Sequence, residues 1–309
     1  HPVAHSFPTR RSSDLMKIIH DCDNTMGMQH RDIDDGMAIL YLLGRFDVEL
    51  VGVTLTFGNS TLEDVYGCTR KLFTDLSIKD IPLLKGAAGK ENRESEAADF
   101  LASKAAENPG EITLLATGSL TNLLGAYQVD ADFFKNLHQV VIMGGVIEPL
   151  MINGKEMGEL NISSDPEAAA ALFVSGTPVT VITGNLCLQM PFGTTRMHKL
   201  QESISPSLYN YIETPFTPWI QVMQNYFGVS HIFLWDPLAA IYCTNPELFV
   251  TREKLFTTSM KGLSKGVLSL NEGNIRCELN VPVSIASADV ILTVLANSYR
   301  QLSLPGSHP

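Results

Sequence analysis

From Met16 to Asn185 the chain alternates between two periodicities, and few architectures accept that alternation. Short apolar, β-branched runs occur at "KIIH", "VELVGVTLTFGN", "IPLL", "EITLLATGS", "HQVVIMGG" and "PVTVITGN". Between them lie segments whose apolar residues recur at three- and four-residue spacing, the signature of a helix packed on one face. In "TLEDVYGCTRKLFTDL" these are Leu62, Val65, Leu72, Phe73 and Leu76; in "DDGMAILYLLGRF" the apolar face broadens to nearly all round. Residues 94–107 and "LTNLLGAY" read as further helices. "SDPEAAAALFVSG" carries its own punctuation: Asp165 as cap, Pro166 in the first turn and Gly176 beyond the end. Strand, helix, strand in regular succession predicts parallel strands joined by crossover helices. The fold class is therefore α/β, an open, mostly parallel, doubly wound sheet with helices on both faces.

After residue 190 the pattern changes to a helical, aromatic-rich stretch over 196–228, a helix starting at "WDPLAAIYC", short strands within 255–283 and a closing helix in "SADVILTVLANSYRQL". No repeat or Pro/Ser linker interrupts it, so residues 16–309 are expected to form a single domain with a helical and short-strand C-terminal part. Residues 1–15 are polar, look foreign to the rest of the chain and are read as an N-terminal scar, with Met16 opening the true start. They lack the apolar stretch of a secretory signal. A hydrophobic content of 45% supports a sizeable core, and the net charge of −11 argues against a nucleic-acid backbone or an anionic membrane surface as partner. No apolar run reaches the length of a membrane span. Cys22, Cys68, Cys187, Cys243 and Cys277 include no C-x-x-C pair and read as free thiols of a reducing compartment, hence a cytoplasmic protein.

Ligands of open parallel sheets bind beyond the carboxyl ends of the strands. Those ends carry Asp21 to Asp23, Phe57-Gly58-Asn59, Thr117-Gly118-Ser119, Gly144-Gly145 and Gly184-Asn185. The first belongs to "DCDNTMGMQHRDIDD", residues 21–35, with five aspartates and only Arg31 and His30 to offset them. Taken alone, Asp34-Asp35 could simply favour a helix start. Asp21 and Asp23, however, come from a buried strand, and converging carboxylates repel unless they bind protons or a cation. Oxygen donors alone suit a hard ion, Ca²⁺ or Mg²⁺. "DCDNT" also fits the D-x-D-x-T pattern of haloacid-dehalogenase-type phosphatases, with Asp21 as nucleophile and Mg²⁺ nearby. That alternative leaves Asp34-Asp35 unexplained and finds no convincing later acidic pair.

"DCD…DIDDGMAILYLL" resembles the N-terminal signature of the inosine–uridine-type nucleoside hydrolases. "TFGNST", "LLATGSLTNLL", "VVIMGG", "GELNISSDPEAA" and "WDPLAAIY" come after it in the family's order. One departure is the segment "NTMGMQHRDI" between Asp23 and Asp34, longer than usual, which must bulge. The resemblance implies hydrolysis of the N-glycosidic bond of ribonucleosides to free base and ribose. It also implies a Ca²⁺ site made of Asp23, Asp35, Asp236 and the backbone carbonyl of Thr117. In that scheme Asp23 is the catalytic base that activates a Ca-bound water. Asp34, Asn59, Asn153, Glu159 and Asn161 grip ribose hydroxyls, and Asp21 supports the site from behind. Relatives commonly form homodimers or homotetramers, and self-association is expected on the same ground. A non-catalytic nucleoside or ribose binder on the same scaffold is the remaining alternative.

The chemistry suits these residue types. Cleavage builds positive charge on the ribose, which preorganised carboxylates and amide oxygens stabilise. Trp235 stands just before the late aspartate, where many pyrimidine-tolerant members carry His. A Trp there resembles the purine-preferring branch, so purine nucleosides are slightly favoured, the indole stacking on the base. Phe100, Tyr226 and Phe227 are the available second stacking partners, and His231 and His30 the histidines that could serve as leaving-group acid. Residues 153-154 and 236-237 each also read, in isolation, as a turn and a helix cap.

Overall fold

The computed structural model describes residues 15–269 and 273–304; the scar reading of residues 1–15 lies almost wholly outside them. Strands β1 (Met16–Cys22), β2 (Val48–Leu55), β3 (Leu83–Lys85), β4 (Ile112–Ala116) and β5 (Gln139–Met143) alternate with helices α1 (Asp34–Leu43), α2 (Leu62–Asp75), α3 (Glu96–Glu107), α4 (Thr121–Val129) and α5 (Phe133–Asn136). Next come a hairpin of β6 (Met151–Ile152) and β7 (Lys155–Glu156), helices α6 (Asn161–Ser164) and α7 (Pro166–Phe173), β8 (Val179–Ile182) and α8 (Gly184–Cys187). β9 (Pro191–Gly193), α9 (Thr194–Gln201), α10 (Pro206–Phe227), β10 (His231–Phe233), α11 (Trp235–Thr244), β11 (Phe249–Thr258), α12 (Met260–Leu263), β12 (Ile275–Ile285) and α13 (Ala288–Tyr299) complete the order.

Eight strands form one sheet in the order β11-β12-β8-β5-β4-β1-β2-β3, parallel except where β11 runs antiparallel to β12. This is the open, mostly parallel sheet expected. The short strands expected within 255–283 are instead one long hairpin that extends the sheet past β8. Its register joins residues as far apart as Phe249 and Ile285. The predicted punctuation of α7 holds: the Asp165 side chain accepts the Ala168 N–H and Pro166 occupies the first turn. The core lies on both faces of the sheet. One face is covered by α1, α11 and α13 with Leu40, Leu238 and Leu295, and the other by α3, α4 and α7 with Leu101, Leu123 and Leu172. Strands buried on both faces read as continuous apolar runs, which is why "KIIH" and "ITLLA" carry so little alternation.

Strand order reverses direction on either side of β1, toward β2 one way and β4 the other. This is a topological switch point, where the carboxyl ends open a crevice. Asp21 sits in that gap, in register with Thr54 of β2 and Ala116 of β4. Beyond it the chain continues as Cys22-Asp23, directly into the crevice. No helix among the described residues is long and apolar enough to cross a membrane.

Candidate active site

β1 delivers Asp23 between two glycines. The Asn59 N–H donates to Asp23 Oδ2 at 2.6 Å and the Asn59 side-chain amide to Oδ1 at 3.2 Å. A Cβ on Gly58 would fall 1.9 Å from Asp23 Oδ2, and one on Gly118 would fall 3.2 Å from Asp23 Cβ. Gly58 is therefore closed to a side chain while Asp23 keeps this rotamer, and Gly118 is closed by the Thr56 methyl, 2.6 Å from where its Cβ would lie. Gly58→Ala is expected to push the carboxylate aside and lower kcat/KM by about tenfold or more, with the circular-dichroism spectrum unchanged. An unaltered rate would show that the carboxylate's placement is unimportant.

Helices α1 and α11 bring the other carboxylates in at their N-termini, where the helix dipole favours negative charge. Neither helix has a side-chain cap at its N-cap residue, Ile33 or Leu234. Asp236 is thus buried in the first turn rather than spent as a cap. The Asp236 N–H approaches Asp34 Oδ2 at 3.5 Å, across 202 residues of sequence. Carboxylate oxygens of Asp34, Asp35 and Asp236 lie within 4.8 Å of one another. Asp23 flanks Asp35: after burial, the Asp23 charge is the next cause that raises the Asp35 pKa. Asp23, Asp34, Asp35 and Asp236 are all at most 3% exposed, and no ion pair among the described residues involves them. Arg31, the nearest basic residue in sequence, donates instead to the Asn59 carbonyl. Burial pushes Asp23 up to about 7, against the Asn59 hydrogen bond, and pushes Asp35 and Asp236 well above the usual carboxylate range. Asp35 Oδ2 is buried without a partner. Crowded oxygen donors, uncompensated charge and an orphaned carboxylate oxygen together fit a hard divalent cation.

Asp21, on β1, has hydrogen-bond partners of its own. It is fully buried, and its Oδ1 accepts from Thr54 Oγ1 at 2.6 Å and Asn122 Nδ2 at 2.7 Å. Asp21, Asp23 and Asp35 do not themselves line the cavity. Asp21 differs from the other two in that its Oδ1 is committed to Thr54 and Asn122, the setting of a supporting carboxylate rather than of a phosphatase nucleophile.

A cavity opens over the carboxylates. Asp34, Asn59, Thr117, Glu159, Asn161, Trp235 and Asp236 line it, together with an apolar wall of Met143, Val146, Leu150 and Met157. Asn161 spans two strand ends, its amide donating to the Thr117 and Met143 carbonyls at 2.9 Å each. Glu159 accepts the N–H groups of Gly145, Ile162 and Ser163, which anchors it at the start of α6.

Asn153 is not brought to the cavity. It occupies the left-handed turn of the β6–β7 hairpin at φ 48° and donates to the Phe227 carbonyl, which is the turn role that Asn153-Gly154 signals in isolation. Phe100, Tyr226 and Phe227 do not line the cavity, and neither do His30 and His231. His231 is half-buried edge-on against Phe233 at 5.0 Å, and burial followed by the Arg196 charge pushes its pKa down. One lining carboxylate carries no role in the sequence reading. Asp32, from the extended loop, reaches the cavity beside Asp34, and burial followed by the Asp34 charge raises its pKa well above the usual range. Its only sequence signal is membership of the aspartate-rich run; the bulge that aims it is a property of the folded loop.

The family model described as inosine-uridine preferring nucleoside hydrolase matches residues 18–291. The chain is 27% identical over 271 residues to uridine nucleosidase 1 of Arabidopsis thaliana, covering 78% of this chain and 80% of that protein. It is 30% identical over 288 residues to the probable uridine nucleosidase 2 of the same plant, covering 83% and 86%. Its fold is similar to that of a plant nucleoside hydrolase, with a TM-score of 0.80 at 23% identity over 92% of this chain and 99% of that one. An aspartate-lined crevice at the switch point of a parallel sheet, and a family match across nearly the whole chain, lead to one conclusion: this protein belongs to the inosine–uridine preferring nucleoside hydrolases.

Proposed function

We propose that the protein hydrolyses the N-glycosidic bond of ribonucleosides with Ca²⁺ as its metal, and that Asp23 is the general base. The observation that carries this is the convergence of Asp23, Asp34, Asp35 and Asp236 in one buried cluster, with no basic side chain among the described residues paired to it, beneath a cavity lined by polar groups and an indole. Asp23, Asp35, Asp236 and the Thr117 carbonyl would hold the ion. When bound, it would acidify water and bind sugar hydroxyls through its positive charge.

The chain's own groups do the rest. Asn59 fixes the Asp23 carboxylate through two hydrogen bonds, which orients it to take a proton from the attacking water. Asp34, Asn59, Glu159 and Asn161 face the sugar. Their anionic and amide oxygens stabilise the positive charge that develops on the ring as the base departs. Asn153, held in its hairpin turn, is left out of this set. Trp235, 7% exposed, offers an indole at the cavity wall. Stacking on that face favours purines slightly, while the names of the Arabidopsis relatives support uridine as a substrate as well. Trp235→Ala is expected to lower kcat/KM for inosine about tenfold and to lower it for uridine less; equal losses would remove the stacking role.

The deciding experiment is a panel of inosine, adenosine, uridine and cytidine assayed for released ribose, with the protein as isolated, after chelation, and after Ca²⁺ is restored. Release that survives chelation would overturn the metal-dependent reading.

A further inference from the structure

His20 stands on β1 in a run that is otherwise apolar up to the aspartates, and its ring is completely buried. Its Nε2 lies 2.8 Å from the Thr117 hydroxyl, and that hydroxyl lies 2.7 Å from Asp35 Oδ1. Three elements are thereby linked in one line: β1 through His20, the end of β4 through Thr117, and the start of α1 through Asp35.

The direction of the two bonds is fixed by counting protons. A hydroxyl has one hydrogen to donate. An ionised Asp35, the form in which it would ligate a cation, can only accept. The Thr117 proton therefore points at Asp35, and His20 Nε2 must donate to Thr117. This holds whether the imidazole is neutral or charged. When the ring is neutral, that donation leaves the lone pair on Nδ1. Nδ1 has no hydrogen-bond partner. A buried ring nitrogen left unpaired is a cost that Leu or Ile at this position would not carry.

The gain is at Asp35. Its Oδ1 is occupied by the Thr117 hydroxyl, so the oxygen that remains uncommitted and buried is Oδ2. Partners of this kind behind a ligand hold it in one rotamer and set which oxygen it presents. We infer that His20 is a positioning residue, which acts through the Thr117 hydroxyl to hold Asp35 with Oδ2 turned toward the cation. The inference rests on the proposed role of Asp35 as a metal ligand. It adds a donor that is two side chains removed from the ion and lies outside the substrate cavity.

The test is calorimetric titration of Ca²⁺ into the chelator-treated full-length protein, comparing wild type with His20→Leu, His20→Gln, Thr117→Val and the His20→Leu/Thr117→Val pair. His20→Leu removes the donor, and Thr117→Val removes the relay hydroxyl while keeping the side-chain shape and the backbone carbonyl. Each is expected to weaken Ca²⁺ binding by about 10- to 100-fold. The pair should be no weaker than the worse single variant, because both cut the same line. His20→Gln, whose amide can place an N–H near the position of Nε2, should recover most of the affinity; a merely space-filling role would predict no such rescue. Affinity within about twofold of wild type in a folded His20→Leu protein, or losses that multiply in the pair, would overturn the inference. If His20→Leu does not fold, Thr117→Val decides on the same criterion. A wild type that takes up no Ca²⁺ fails earlier, at the metal-site reading itself, and the inference falls with it.

Discussion

Asp23→Asn is expected to reduce ribose release from nucleosides by at least about 10³-fold while leaving the thermal melting midpoint nearly unchanged. A positioned general base contributes about 10²–10⁴ in rate, and this substitution also removes a charge from the cluster proposed to hold the ion. Asn keeps the shape that fits between Gly58 and Gly118 and can still accept the Asn59 N–H through its carbonyl oxygen. The variant should therefore fold. Removing one of four crowded, uncompensated carboxylates even relieves repulsion in the metal-free state. Steady-state assays with inosine and uridine, with melting curves on the same preparations, check both halves. A variant that retains a tenth of wild-type activity would rule out Asp23 as the base.

Chelation should abolish activity and lower the melting midpoint by about 5–10 °C near pH 8. A cation present at one hundred times its dissociation constant stabilises by about 2.7 kcal/mol, and in a domain of this size each kcal/mol moves the midpoint by roughly 2–4 °C. The pH dependence has a definite sign. In the metal-free fold, burial pushes Asp21 and Asp23 up to about 7, above the roughly 3.9 of an unfolded aspartate. Between those values the folded state binds more protons than the unfolded one. The stability these groups contribute is thus full below about pH 4 and is lost as pH rises through 7. A bound cation needs the ligands ionised, so its grip strengthens over the same range. The gap between loaded and chelated midpoints should widen from pH 5 to pH 8. A gap that narrows would mean that the cluster is not the site being emptied.

Much of this was legible in the primary structure because it depends on local order. Parallel strands announce themselves as unbroken apolar runs, and crossover helices by their spacing. Asp165 and Pro166 could be read as a helix start because capping involves residues three apart. Where local signals competed with distant contacts, they misled. Asp236-Pro237 has the form of a helix cap, yet its carboxylate is buried against Asp34, which the helix start at α1 places there. Asn153 is the reverse case: its local turn signal is realised, and the hairpin turn holds it against the end of α10, away from the sugar-gripping place the resemblance implies. The long β11–β12 hairpin was hidden because its pairing spans residues that periodicity treats independently.

The amino-acid order alone determined the alternation of strand and helix, and with it a mostly parallel sheet with aspartates at a strand's carboxyl end. Chain connectivity and residue spacing are sufficient for those; the strand order that makes this a switch point came from the tertiary structure. Which carboxylates meet was decided by tertiary structure, through the packing of α1 against α11. That packing brings Asp34 and Asp236 together across 202 residues; the pairing of β1 with β4 and the seating of α1 beside them line up His20, Thr117 and Asp35. The physical reason is that burial periodicity records how each segment meets the core and says nothing about which other segment it meets there.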